Sequence, residues 1–250
     1  AGPCVIESEE ICLRVAEELL RLCKKFQFQY VFKSSYKKAN RTSGESFRGP
    51  GMEKGLQILK KVKAEFGVPV LTDVHETKEV MAVNEVADII QIPAFLSRQT
   101  ELIEESAKTG KFINIKKGQF MSPQEAIFAA KKAYAVGNKD VLITERGTFF
   151  GYHNLVVDFR TFHIIDKAGI PVIYDVTHSL QLPGANKMSA GTPEFAHCMA
   201  RAAVATGHLS GLFFETHPHP EEAKSDALSM LPLPQIESLL EEINKILFTR

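Results

Sequence analysis

The 250-residue chain has no tryptophan, and its four cysteines, Cys4, Cys12, Cys23 and Cys198, form no Cys-x-x-Cys pair. That spacing excludes a disulfide framework or a zinc ribbon and leads us to expect reduced thiols in a cytoplasmic protein. No apolar run approaches the roughly 20 residues that a membrane-spanning helix needs, and no signal-peptide pattern opens the chain. A Gly-x-Gly-x-x-Gly after a strand, the mark of a dinucleotide-binding open sheet, is also missing. Excess charge of either sign is lacking: Lys+Arg 30 against Asp+Glu 30 gives a formal net charge of +0. There is thus no bulk attraction for nucleic acid or an anionic membrane, and any anion must be held locally. The chain starts at Ala1-Gly2-Pro3-Cys4 as if inside a strand, so we expect residues upstream of it.

What is present is a repeated strand-then-helix pattern. After AGPCVI come helical periodicity over Glu9–Lys25, strand Phe28–Lys33 with helix Glu53–Phe66, strand Pro69–Val74 with helix Thr77–Glu85, and strand Asp88–Ile92 with helix Arg98–Lys108. Four more pairs follow: Phe112–Lys116 with Pro123–Val136, Asp140–Thr144 with Val157–Lys167, Pro171–Asp175 with Glu194–Thr206, and Gly211–Glu215 with Leu233–Leu247. Short apolar strands alternating with amphipathic helices fit a buried parallel sheet. Eight of them predict an α/β protein folded as one (β/α)8 TIM barrel over residues 1–250. The Gly-rich stretch Pro183–Pro193 is expected to be a mobile lid.

In such barrels the active site forms at the C-terminal ends of the strands. Read in order, those ends carry Cys4, Lys33, Asp73 with His75, Gln91, Lys116 with Lys117, Glu145 with Arg146, Asp175 with His178, and Glu215 with His217. The second end runs into VFKSSYKKANRTS, which adds Lys37, Lys38, Asn40 and Arg41. Lys33, Lys38, Arg41, Lys116 and Arg146 predict a cationic rim inside a neutral chain, suited to small substrates bearing phosphate and carboxylate. Arg98 either joins that rim or reaches a neighbouring subunit. Cys4, His178 and Glu215, joined by Asp226 from KSDAL, offer a thiolate, an imidazole and two carboxylates, a donor set for zinc, iron(II) or manganese.

Several long strings, among them AGPCVIES, VFKSSYKKANRTS, IIQIPAFLSRQT, INIKKGQF, ERGTFFGYHNLVVDFR and ETHPHPEEAKSDA, resemble the 3-deoxy-D-manno-octulosonate 8-phosphate synthase family from the first residue to about Pro234. The resemblance implies a cytoplasmic transferase that condenses phosphoenolpyruvate with arabinose 5-phosphate, releases inorganic phosphate and feeds lipopolysaccharide inner-core biosynthesis. It implies a homotetrameric barrel with no nucleic-acid or membrane partner. By the same resemblance Lys33, Lys38, Gln91, Lys116 and Arg146 hold phosphoenolpyruvate, while Asn40, Arg41, Thr42 and Ser43, with Arg98 from an adjacent subunit, hold the sugar phosphate. Cys4, His178, Glu215 and Asp226 match the one-metal site of the metal-dependent branch; the metal-independent branch carries Asn at Cys4. Lys38, Asp73, His75 and His178 are the candidate catalytic groups. Ser97, Glu101, Thr42 and Gly44–Ser46 depart from the family pattern. Two alternatives stand beside this reading: the related heptulosonate 7-phosphate synthase, which takes erythrose 4-phosphate and resembles KPRTS where this chain has KANRTS, and a non-catalytic phospho-sugar-binding barrel.

Overall fold

The computed structural model describes residues 1–40, 46–183 and 190–248. Its helices and strands alternate as expected: α1 (Glu9–Phe26), β1 (Phe32–Lys33), α2 (Met52–Phe66), β2 (Val70–Asp73), α3 (Val80–Asn84), β3 (Ile89–Ile92), α4 (Thr100–Lys108), β4 (Phe112–Lys116), α5 (Pro123–Ala135) and β5 (Val141–Glu145). A hairpin, β6 (Thr148–Phe149) with β7 (Leu155–Val156), precedes α6 (Arg160–Lys167) and β8 (Val172–Asp175). Beyond them come β9 (Gln181–Leu182), β10 (Ala190–Gly191), α7 (Ala196–Ala205), β11 (Gly211–Phe213), β12 (Thr216–His217), β13 (Leu231–Pro232) and α8 (Ile236–Phe248).

Seven strands pair in parallel in the order β1-β2-β3-β4-β5-β8-β11. The eighth place is taken by the first residues of the chain. Gly2 bridges Glu215 just past β11, and Val5 bridges Ser35 just past β1, both in parallel. Main-chain bonds from Lys33 N to Ala1 O (3.0 Å), Ser35 N to Cys4 O (3.3 Å), Ile6 N to Ser35 O (2.9 Å) and Thr216 N to Gly2 O (3.1 Å) complete the ring. The sheet is thereby a (β/α)8 barrel, and its N-terminal segment seats Cys4 between the first and last strands. Gly2 is what permits that seat: a Cβ there would stand 2.1 Å from Lys33 O, closer than any side chain tolerates.

Element ends differ from the sequence reading for local reasons. The strand expected over Phe28–Lys33 shortens to Phe32–Lys33, because Pro69 has no N–H and the ladder to β2 starts only at Val70. Helix α6 starts at Arg160 rather than Val157, since β7 holds Val156 and the Asp158 carboxylate accepts from Arg160 N at 3.0 Å. Three expected helices open with a separate 3-10 turn, Thr77–Glu79, Pro193–Phe195 and Leu233–Gln235. Of the lid expected over Pro183–Pro193, Ala190–Gly191 pairs antiparallel with Gln181–Leu182 just before it, while residues 184–189 lie outside the described residues.

The helices bury their apolar stripes against the outer face of the strands. In α1, capped by Ser8 Oγ accepting from Ile11 N, these are Cys12, Val15, Ala16, Leu19, Leu22, Cys23 and Phe26. Gly55 in α2 faces Tyr36, where an added Cβ would lie 2.3 Å from the tyrosine Cβ. Helix propensity favours Gly55→Ala by roughly 1 kcal/mol, whereas overpacking costs about 1–3 kcal/mol. We expect the clash to win and the urea midpoint of G55A to fall; a higher midpoint would contradict this packing.

Candidate active site

At the C-terminal ends of the strands lies a cleft of about 520 Å³. Its charged lining is uneven: Lys33, Lys38, Lys116, Arg146 and Lys224 against Asp73 and Asp226, with His75 and His178 alongside. An anion is the natural occupant of such a wall. Arg146, at the end of β5, is 5% exposed; its Nη2 donates to Gln181 Oε1 at 2.9 Å, and its Nη1 makes no hydrogen bond. A buried guanidinium with one nitrogen left unpaired can still grip a carboxylate or phosphate.

Two buried ion pairs hold the lysines. Lys33 Nζ donates to Glu215 Oε1 at 2.6 Å and to Cys4 O at 3.1 Å. Lys116 Nζ pairs with Asp175 Oδ2 and sits 3.8 Å from the centre of the Phe213 ring. Burial pushes the Lys116 pKa down, aided by Lys33 and opposed by Asp175 and Glu215. Burial alone would raise the pKa of Glu215, yet His178, Lys33, Lys38 and Lys116 hold it well below the usual carboxylate range. Asp175 is likewise held low, against its burial, by His178 and Lys116. Gln91 accepts from Asn114 Nδ2 at 2.9 Å, and Asn114 from Thr144 Oγ1 at 2.6 Å, so the Gln91 amide is fixed from below.

Beside this wall the donor atoms of Cys4, Glu215 and Asp226 lie within 4.8 Å of one another. The Cys4 thiol donates to Asp226 Oδ2 at 3.0 Å and lies 3.2 Å from Ser225 Oγ. Burial, then the Asp226 and Glu215 carboxylates, push the thiol well above its ordinary pKa; a divalent cation between them would reverse that balance. Asp226 adopts φ 50°, unusual for a non-glycine residue, as strained backbone at functional sites often is. His178 stands outside this set of three but points the correct nitrogen at it: Asp175 Oδ2 holds Nδ1 at 2.8 Å, leaving Nε2 3.5 Å from Glu215 Oε2. A carboxylate behind one imidazole nitrogen orients the other for a metal, so the four residues fit a transition-metal ion by donor type and direction.

The remaining sequence-derived residues are placed as follows. Asp73, His75, Gln91, Lys38 and Asn40 line the cleft. Arg41, Thr42 and Ser43 lie outside the described residues. Arg98 is exposed, is not among the residues lining this cleft, and gives its carbonyl to Lys132 Nζ at 3.0 Å. Lys117, Glu145 and His217, expected at strand ends, are not among the lining residues either. Neighbours on a strand alternate faces, so Lys117 turns outward from Lys116 to contact Glu145 Oε2 (3.5 Å), Thr148 Oγ1 (3.0 Å) and Met121 O (3.0 Å). Ser35 and Gln119, which the sequence reading passed over, do line the cleft. Ser35 was detectable, being two residues past Lys33 and so on the same face; nothing in the spacing marks Gln119, whose buried Oε1 has no hydrogen-bond partner.

The profile of the DAHP synthetase I family matches residues 1–249. The chain belongs to the DAHP synthetase I family. It is 53% identical over 247 residues to a protein of Acidithiobacillus ferrooxidans named 2-dehydro-3-deoxyphosphooctonate aldolase, covering 98% of this chain and 88% of that protein. Proteins of the same name from Magnetococcus marinus (52% identical, 98% of this chain, 86% of the relative) and Legionella pneumophila (52%, 97% and 89%) are similarly close.

For this DAHP synthetase I family member the depressed carboxylates tie stability to pH. Asp73, Asp175 and Glu215 have folded pKa values below their unfolded ones, so their contribution is complete above the ordinary carboxylate value of about 4 and is lost progressively as the pH falls from there towards the folded values. In chelated protein the urea midpoint should stay level from neutrality down to about pH 5 and then drop steeply. A midpoint unchanged to about pH 3 would contradict these pairings.

Proposed function

We propose that the chain condenses phosphoenolpyruvate with D-arabinose 5-phosphate and water to give 3-deoxy-D-manno-octulosonate 8-phosphate and inorganic phosphate. The name carried by the relatives, 2-dehydro-3-deoxyphosphooctonate aldolase, denotes this product. The observation that carries the proposal is the cleft itself, a cationic wall around an Arg146 with an unpaired nitrogen, set beside the Cys4, Glu215 and Asp226 cluster.

Arg146, Lys116, Lys38 and Lys33 hold the carboxylate and phosphate of phosphoenolpyruvate, with Gln91 donating an amide hydrogen. Asn40, Arg41, Thr42 and Ser43, with Arg98 of an adjacent subunit, hold the sugar phosphate. C3 of phosphoenolpyruvate bonds to the aldehyde carbon, whose oxygen takes a proton; water adds at C2, and phosphate then departs with its bridging oxygen as the 2-keto group forms. Holding both anions face to face supplies the proximity this step needs, and the fixed cations stabilise the charge that develops. Asp73, His75, His178 and Lys38, all lining the cleft, are the groups that would move the aldehyde and water protons.

A divalent ion held by Cys4, His178, Glu215 and Asp226 would supply Lewis acidity to the sugar aldehyde or to the attacking water. We take zinc, iron(II) or manganese, one per subunit, as the chemistry that this donor set suits. A cytoplasmic homotetramer serving lipopolysaccharide inner-core synthesis completes the proposal. Phe95, Phe149 and Phe150, from 47% to 68% exposed, and the exposed Arg98 support contact between subunits. Among the described residues no helix is long and apolar enough to cross a membrane.

The family description also names the heptulosonate reaction, which differs in its acceptor, erythrose 4-phosphate. Asn40, at the rim of the cleft, favours the longer sugar because its amide can bind a hydroxyl that the proline of the rival loop cannot. Purified protein should release phosphate from phosphoenolpyruvate only with arabinose 5-phosphate; equal turnover with erythrose 4-phosphate would move the assignment to the rival. Chelation should abolish that turnover and added divalent ion restore it, whereas full activity after chelation would remove the metal from the account.

A further inference from the structure

Behind the cleft, a line of buried polar groups runs away from it. Asp73 Oδ2 lies 3.1 Å from His75 Nε2, and on the other edge of the ring His75 Nδ1 faces Glu79 Oε2 at 3.6 Å. The same Glu79 oxygen accepts from His75 N (2.7 Å), Glu76 N (3.3 Å) and Tyr36 OH (2.9 Å). Asp73 Oδ1 in turn accepts from Ser35 Oγ at 2.5 Å. Tyr36 is fully buried and Glu79 is 5% exposed, and neither is among the residues lining the cleft.

Glu79 has an ordinary explanation as the reciprocal cap, with Glu76, of the short 3-10 turn that follows. That accounts for the bond from Glu76 N. It does not account for a fully buried tyrosine hydroxyl spent on the same oxygen, nor for the imidazole edge turned towards it without a hydrogen-bond partner of its own. An amide would accept the same main-chain bonds; only a carboxylate adds charge at that edge. The Tyr36 ring also packs edge-on against His75, centroids 6.1 Å apart and planes at 86°, which restricts rotation of the imidazole. Burial first, then the Glu79 charge, push the Tyr36 phenol upward, so it stays a donor.

We propose that Glu79, anchored by Tyr36, is a positioning residue for the reaction: it fixes the orientation of the His75 ring so that Nε2 stays against Asp73 at the cleft. This rests on the condensation proposed above. The charges facing the ring and its two carboxylates are Lys37, 3.6 Å from Glu79 Oε1 and 3.9 Å from Glu76, and Lys33 and Lys38 on the Asp73 side. Lys37 is 37% exposed, so solvent screens it more than it screens the buried carboxylate it faces.

The test compares Glu79→Gln, Tyr36→Phe and the double variant in the full enzyme. For E79Q we expect kcat to fall by about tenfold with both KM values within about twofold, because the substituted group touches neither substrate. The 15N signals of the His75 ring should shift in ligand-free E79Q, a readout that needs no turnover. Y36F should move both quantities in the same direction by less, and should add nothing in the E79Q background, since Tyr36 acts through Glu79. Parental kcat together with unmoved ring signals would overturn the proposal. So would a loss of kcat with unmoved ring signals and a lowered melting temperature, which would leave Glu79 as a helix cap. Should the ring signals shift while the parent fails to turn over arabinose 5-phosphate, the positioning role stands and the condensation falls.

Discussion

The buried contact between Lys33 and Glu215 is the constraint on which the rest of the site depends. The two side chains are 2% and 1% exposed and 2.6 Å apart, and they come from positions 182 residues apart in the chain. Removing one partner of such a pair costs about 3–5 kcal/mol, because the other charge is left buried alone. Glu215 also carries the main-chain bridge to Gly2 that closes the barrel and contributes one donor of the Cys4 and Asp226 cluster. Ring closure, the floor of the cationic wall and the thiol-carboxylate cluster therefore meet at one residue.

Charge balance explains how a neutral chain keeps so many ions dry. Lys33 and Lys116 each have a carboxylate partner from another strand end, while Arg146 leaves one nitrogen without a hydrogen bond. The carboxylates balance the lysine charge from the protein side while both lysines line the cleft, so the pairs stay buried without an anion present. The cost is sensitivity: a group whose charge is kept only by its neighbours responds to the loss of any of them.

Most of the architecture was legible because its signal is repetition. Apolar strands of five or six residues, spaced by amphipathic helices, gave eight units, and β4 falls on Phe112–Lys116 as expected. The boundaries that moved did so where one local group decides the matter, such as Pro69 at β2 or Asp158 before α6. In the site, residues that end strands could be listed from the sequence, but the face each side chain takes could not always be. Lys117 and Glu145 turn outward beside Lys116 and Arg146, a choice set by strand alternation and visible only once the register is known. The link from Tyr36 through Glu79 to His75 was hidden for a different reason: it joins the loop after β1 to the turn after β2, and no spacing in the sequence pairs Tyr36 with Glu79.

Closing the barrel with the N-terminal segment brings Cys4 beside Glu215 and Asp226 from opposite ends of the chain, the cluster proposed above to hold a divalent ion. Titration of the chelated protein with cadmium, followed by the ultraviolet thiolate-to-metal charge-transfer band, tests this without reference to turnover. The band should saturate at one ion per chain, vanish in Cys4→Asn, and persist when Cys12, Cys23 or Cys198 is replaced by Ser. A band of full amplitude in Cys4→Asn would contradict the account.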